Sequence, residues 1–415
     1  MKRLLLIFLT MAILISSTLC FVSCNKTENK DPGEEQNSND TNNEDVPLTA
    51  TLTVAGNDLS NYKIIYARSE YYKAGPKTFT TEYDFYRLIA TDIRYRLYEI
   101  TGVSLDVAQD EKTAEGEYEI LVGPTNRAQS DIYDKMSVYD YRNTVSSAKL
   151  TIGGGYNSSS LVGGVKTSYS WASTNHAFDY LKEHIASEVK SGKTTVDLAE
   201  GFNQKGSADL ITVACIGDSI TDGAGSSDRN LYAYPAVLQR HLWKDHVVLN
   251  YGYSGRTMRN DLADKYKGTT HHTFALKNAQ RFDIALIMLG TNDSNRDRSF
   301  SADDDASFND SALELAKELT KKNSDLKLTI MNCPVYYGTD EFGNAHVRQL
   351  QKKLTELLEQ SGYDSEFFDM YSFTKEELTV TRFPDKLHPN NEGYAIMAER
   401  LSRLIPELLG EEAEG

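Results

Sequence analysis

Four short stretches, far apart in the chain, carry side chains able to do acyl chemistry. The apolar run 211–216 stops abruptly at Gly217-Asp218-Ser219. A second apolar run ends at Asn250-Tyr251-Gly252, a third at Gly290-Thr291-Asn292-Asp293, and the segment "DKLHPN" brings Asp385 close before His388. A serine hydroxyl is a weak nucleophile until a base takes its proton. His388 can be that base, and Asp385 can hold the imidazole in the useful tautomer. A tetrahedral intermediate also needs donors aimed at its oxyanion. The backbone N–H groups of Ser219 and Gly252 and the side-chain amide of Asn292 are the candidates. Glycine at 252 would let the backbone approach a substrate closely. Each residue also has a plainer use. Serine caps helices, Asn-Asp shapes turns, and an Asp–His pair can be an incidental surface contact.

The elements that must position these residues are legible around them. Strand-like runs recur as "LITVACIG", "HVVLNYG", "DIALIMLG", "KLTIMNC" and "SEFFDMY". Amphipathic helical patterns separate them. One follows Pro235, one carries Phe308, Ala312, Leu315 and Leu319, and one carries Val347, Leu350, Leu354 and Leu357. The last, over 391–409, carries Tyr394, Met397, Leu401, Leu404 and Leu408. Strands too apolar to alternate, joined by such helices, imply a parallel sheet covered on both faces. The expected fold for 208–410 is thus a doubly wound α/β/α sandwich. A ligand then binds beyond the carboxyl ends of its strands, where the four stretches converge.

In this order, "GDSITDG", "NYGYSG", "LGTND" and "DKLHPN" resemble the four sequence blocks of the SGNH hydrolases, also called GDSL-like esterases. The resemblance spans the whole second region. It implies a flavodoxin-like sandwich and an ester-hydrolysing enzyme without metal or other cofactor. It also implies Ser219 as nucleophile and oxyanion donor, Gly252 and Asn292 as oxyanion donors, His388 as base and Asp385 as its orienter. The G-x-S-x-G elbow of the α/β-hydrolases is absent, since "GYSGR" is out of that pattern. Asp218 is expected to order its turn. His271-His272 has no Glu or Cys nearby to suggest a metal site and is expected in a loop.

A smaller α+β region is expected over 50–205. Strands are predicted over 61–68, 117–123 and 149–155. Helices are predicted over 81–102, capped by Thr81 and ended by Gly102, and over 175–189, both packing on one sheet. The series "TG", "EILVG", "TNR", "LTIGGG" and "AFDYL" is similar to the small non-catalytic N-terminal domain that precedes some glycoside hydrolase barrels. No nucleophile–base set lies within it. It reads as a packing or spacing module, with glycan binding as the alternative. "GGVKTS" lacks the adjacent Gly-Lys of a phosphate-binding loop.

The chain begins with Lys2-Arg3 and an apolar run to Val22, followed by Ser23-Cys24. This is an export signal over 1–24 that resembles a bacterial lipoprotein signal, with Cys24 as the lipidated residue. An uncleaved membrane anchor is the alternative. The stretch 25–49 is polar and acidic and reads as a disordered tether, which places the folded part on the extracytoplasmic face of a membrane. The net charge of −16 over 415 residues argues against nucleic acid as a partner, because phosphate binding needs clustered Lys and Arg. Cys215 and Cys333 lie in apolar runs and are expected as free buried thiols.

The expected rim of the site is polar, with "DGAGSSDRN", "SGRTMRND" and "DSNRDRSFSADDD". A long acyl chain would need an apolar trough, gaining about 0.8 kcal/mol per buried CH2. Tyr251, Tyr253, Tyr336 and Tyr337 with Arg256 suit a sugar instead. Of these, Tyr253, Arg256, Tyr336 and Tyr337 are expected to bind substrate. The reading is a carbohydrate esterase removing small acyl groups, acetyl above all, from an acylated glycan. A lysophospholipase or thioesterase, and a non-catalytic glycan-binding surface protein, are the alternatives.

Overall fold

The computed structural model describes residues 50–68, 72–73, 82–155, 171–294, 301–338 and 342–410. The expected signal with Cys24, the tether, Thr81 and "GGVKTS" lie outside the described residues.

The first region is built on a six-stranded sheet with the order β11-β8-β9-β7-β3-β6. Its strands are β3 (Lys63–Tyr66), β6 (Val107–Gln109), β7 (Glu119–Val122), β8 (Asp140–Ser146), β9 (Lys149–Gly154) and β11 (Asn203–Ser207). Strands β6, β3, β7 and β9 run parallel, and β8 and β11 join antiparallel. A separate sheet pairs β1 (Thr51–Val54) with β2 (Asn57–Asp58) and with β10 (Thr195–Leu198). A short pairing links β4 (Tyr72–Lys73) to β5 (Glu82–Tyr83).

Two helices, α1 (Phe85–Thr101) and α2 (Trp171–Lys190), pack on the large sheet and on each other. Helix α1 is capped by Asp84, whose side chain accepts from the Arg87 N–H, rather than by Thr81. Gly102 ends it in the left-handed conformation, φ 71°, which glycine adopts without strain. Ile89, Ile93, Leu97 and Ile100 form its buried stripe.

The second region is the expected α/β/α sandwich. Strands β12 (Ile211–Gly217), β13 (His246–Gly252), β14 (Ile284–Met288), β15 (Lys327–Met331) and β16 (Ser365–Phe368) form one sheet, ordered β13-β12-β14-β15-β16. Every pairing in it is parallel. The helices are α3 (Ser219–Asp222), α4 (Arg229–Tyr232), α5 (Tyr234–His241), α6 (Thr270–Asn278), α7 (Ala302–Thr320), α8 (Phe342–Gln360), α9 (Met370–Glu377) and α10 (Asn391–Leu409). Side chains alternate between two apolar layers, because successive residues of a strand point to opposite faces. Val213 and Cys215 pack with α5 and α10, whereas Ala214 and Ile216 pack with α6, α7 and α8.

The two regions share core. Val138, Tyr139 and Ala172 join the layer under α6–α8, and Tyr139 C=O accepts from the Ala208 N–H at 2.6 Å. On the other side Leu231 and Trp243 pack onto the core of the first region. There the Phe85 ring lies 4.1 Å from Trp171 and 5.6 Å from Trp243.

Candidate active site

Strand β12 lies inside the sheet, so its carboxyl end opens between those of β13 and β14. Gly217 closes the strand where a Cβ would stand 2.0 Å from Thr221 Oγ1, and the chain can therefore turn back at once into α3. Asp218 caps that helix, its Oδ1 accepting from the Ile220 N–H at 3.0 Å. Ser219 is its first residue, where a backbone N–H has no partner within the helix. The Ser219 side chain is nearly covered, with the residue 7% exposed.

The loop before α10 reaches the same point. Its turn passes through Lys386 at φ 71°. Asp385 Oδ1 accepts from the N–H groups of Leu387 at 3.0 Å and His388 at 2.7 Å. Its Oδ2 accepts from His388 Nδ1 at 2.6 Å, and His388 Nε2 stands 2.8 Å from Ser219 Oγ. Partial burial disfavours the Asp385 carboxylate, but the His388 ring and the two backbone donors outweigh it and hold the carboxyl below the usual range. Nδ1–H therefore points at a charge, which leaves the Nε2 lone pair for the serine proton.

The loop after β13 is stitched to both neighbouring turns. Asn250 Nδ2 donates to Thr221 C=O at 2.9 Å, and the Tyr253 N–H donates to Gly217 C=O at 2.9 Å. On the far side Asn292 Nδ2 donates to Arg256 C=O at 2.9 Å. Both Asp293 oxygens accept from this loop, at 2.8 Å from Met258 N–H and 3.0 Å from Arg259 N–H.

The expectation for Gly252 needs correction. Its N–H donates to Asn250 Oδ1 at 2.8 Å, and a Cβ there would stand 2.2 Å from the Asp222 backbone nitrogen. The glycine lets β13 pack against α3, and its N–H is already used. Gly255, three residues on, is exposed, holds φ 77° and has open space where a Cβ would be. Both glycines are visible in "NYGYSG", but only the Asn250 contact separates their roles.

The tyrosines near the site hold partners within the protein. Tyr251 is fully buried, and its hydroxyl accepts from Asn278 at 3.1 Å. Tyr253 stacks on His271 at 4.4 Å and has Arg256 over its ring at 4.6 Å. His271 and His272 lie on α6, not in a loop. Tyr337 donates its hydroxyl to Leu378 C=O at 2.6 Å and its N–H to Lys386 C=O at 2.9 Å, which ties down the His388 loop. Tyr336 folds over its own turn, where a Cβ on Gly338 would be 1.9 Å from its ring.

Asp218 is fully buried, and its Oδ2 makes no hydrogen bond. Burial pushes its carboxyl up to about 6, against the pull of the Ile220 N–H. Cys215 on β12 and Cys333, two residues past the end of β15, are free and buried. No group of three or more His, Cys, Asp or Glu side chains could hold a metal ion among the described residues.

Residues 215–396 match the model of the GDSL-like Lipase/Acylhydrolase family. An acetylxylan esterase of Xylanibacter ruminicola is 48% identical over 88 residues, which is 21% of this chain and 18% of that protein. The alignment thus spans less than a fifth of the relative's own length. Among solved structures, a family two carbohydrate esterase from Clostridium thermocellum in complex with cellohexaose is similar at TM-score 0.39 and 20% identity. That similarity covers 51% of this chain and 69% of the other. An acetylxylan esterase from Geobacillus stearothermophilus is similar at TM-score 0.35 and 22% identity, covering 49% and 95%. From the family match, with the ordered sequence blocks and the parallel sheet that presents them, the C-terminal part of the chain carries a GDSL-like lipase/acylhydrolase domain.

Proposed function

We propose that the protein is a serine esterase that removes small acyl groups, acetyl above all, from carbohydrate. The observation that carries the reading is the unbroken chain from Ser219 Oγ through His388 to Asp385, at 2.8 and 2.6 Å. In the first step Ser219 Oγ attacks the ester carbonyl while His388 Nε2 takes its proton. The oxyanion is met by the Ser219 N–H, the Asn292 amide and the Gly255 N–H, which replaces Gly252 in this role. The intermediate collapses as His388 returns the proton to the departing sugar oxygen. Water then attacks the acyl-serine with His388 again as base, which releases the carboxylic acid and restores Ser219.

The acetyl and carbohydrate parts rest on a polar rim and on the acetylxylan esterase relative. Among the described residues the exposed large apolar side chains are Leu88, Tyr95, Tyr98 and Val380. One of the four belongs to the hydrolase region, too little to line a trough for a long acyl chain. We further propose export and tethering through a lipid on Cys24, on the strength of the signal-like sequence and the polar stretch after it. Membrane fractions of a Cys24→Ala variant should lose the processed protein to the soluble fraction.

The test of the activity uses acetylated xylan oligosaccharides beside p-nitrophenyl esters of rising chain length. Turnover should be highest for acetyl and fall as the chain lengthens, and a fluorophosphonate should label Ser219. A preference for long acyl chains would favour a lysophospholipase or thioesterase, and absence of labelling would leave a glycan-binding protein.

A further inference from the structure

Asp222 stands one helical turn after Ser219, with its side chain 11% exposed. The proposed mechanism leaves it without a task. Its Oδ2 accepts from the Ser254 hydroxyl and from Arg229 Nη1, and Arg229 Nη1 also lies 3.4 Å from Ser254 Oγ. The three side chains close a triangle between α3, α4 and the turn that contains Gly255. A hydroxyl bonded to a covered carboxylate is a strong, directional link. The Arg229 guanidinium, half exposed, pairs with the same carboxylate oxygen, an ion pair worth little on its own at that exposure.

The geometry matters because the Gly255 N–H follows Ser254 directly. A Cβ on Gly255 would meet nothing within 4 Å and the residue is exposed, so no packing against a side chain there holds the turn in place. The Ser254–Asp222 bond anchors the turn on its nucleophile side, as Asn292 to Arg256 C=O does on the other. Helix α4 extends the chain further. It carries Arg229 on one side and Leu231 on another, and Leu231 packs onto the core of the first region. Its C=O also accepts from Arg240 Nη1 at 2.7 Å.

We infer that Asp222 is a positioning residue that aims the Ser254-Gly255 turn at the nucleophile, and that the first region acts on the active site through α4, Arg229 and Asp222. The inference rests on the esterase reading for its effect on rate, but not for its effect on the loop. Two readouts on the full chain therefore test it. Amide hydrogen exchange across 252–258 should quicken about tenfold in Ser254→Ala and Arg229→Met, as one anchoring bond is lost, with exchange across β14 unchanged. For p-nitrophenyl acetate, kcat per fluorophosphonate-titrated site should fall about tenfold with KM within twofold, because an oxyanion donor acts in the transition state. Ser254→Thr, which keeps the hydroxyl, should restore both. Leu231→Ala should move the same two readouts in the same direction by a smaller factor.

A loss of activity that only follows the folded fraction cannot lower kcat per titrated site, and would overturn the inference. So would unchanged exchange in the loop of Ser254→Ala and Arg229→Met. Wild-type protein without turnover or label would count against the esterase reading, while the exchange measurement still decides the role of Asp222.

Discussion

At the scale of single residues, Asn292 and Asp218 make separable predictions. Asn292 both holds Arg256 C=O and, on the proposed reading, donates to the oxyanion. Asn292→Ala should cut kcat by about 10²–10³, roughly 3–4 kcal/mol, with little change in KM. Asn292→Asp should be at least as damaging, because it puts an acceptor where a donor is needed. If Asn292 only shaped a turn, melting temperature would drop while kcat per folded molecule held. Asp218 predicts an effect on stability instead. Its folded carboxyl is raised to about 6 from 3.8 by burial, so its contribution is most favourable below about pH 4 and is lost as pH rises through about 6. The loss is about 3 kcal/mol at full ionisation. Asp218→Asn keeps the helix cap and removes the charge. Its melting temperature relative to wild type should therefore climb between pH 4 and pH 7, and a constant difference would refute this assignment.

At the scale of elements, the two glycines of "NYGYSG" should part company when each is replaced by alanine. At 252 a Cβ meets the Asp222 backbone at 2.2 Å, which no rotamer change relieves, so Gly252→Ala should cost about 1–3 kcal/mol or more. At 255 the space is open and the cost is the left-handed φ of 77°, about 1–2 kcal/mol. Urea midpoints should rank the two variants in that order. The same loop shows what was legible in the sequence. The five parallel strands and the long helices announced themselves, because each buries a continuous apolar run or a regular stripe. The approach of Ser219, His388 and Asp385 followed once the strand ends were known. The choice between Gly252 and Gly255 did not, since it depends on a side chain, Asn250, folding back onto its own loop. The stacking of Tyr253 on His271 was hidden for a like reason, because His271 arrives from α6. Short pairings such as β1 with β10, which join Thr53 and Asp197 across 144 residues, carry no local pattern from which to infer them.

At the scale of the whole molecule, the first region is packed into the core of the hydrolase region rather than strung before it. Trp171 is 2% exposed and packs on Phe85 at the junction. Trp171→Ala should cost about 3–5 kcal/mol and lower the melting of the hydrolase region along with its own, as one calorimetric transition. A chain starting at Gly206 would bare Leu231 and Trp243 and should melt below the full chain. The same seam has an optical consequence. Trp171 and Trp243 are the only two tryptophans in the sequence, and both approach Phe85 there, at 4.1 and 5.6 Å. Tryptophan emission therefore reports on this joint and on the first region's core beside it. Ser219 and His388, separated by 169 residues, meet only when the parallel sheet is complete, and such non-local pairing forms slowly. In a refolding experiment, tryptophan emission would clock the docking of the two regions while returning esterase turnover would clock closure of the sheet, so two unmodified signals time two separate events in one cuvette.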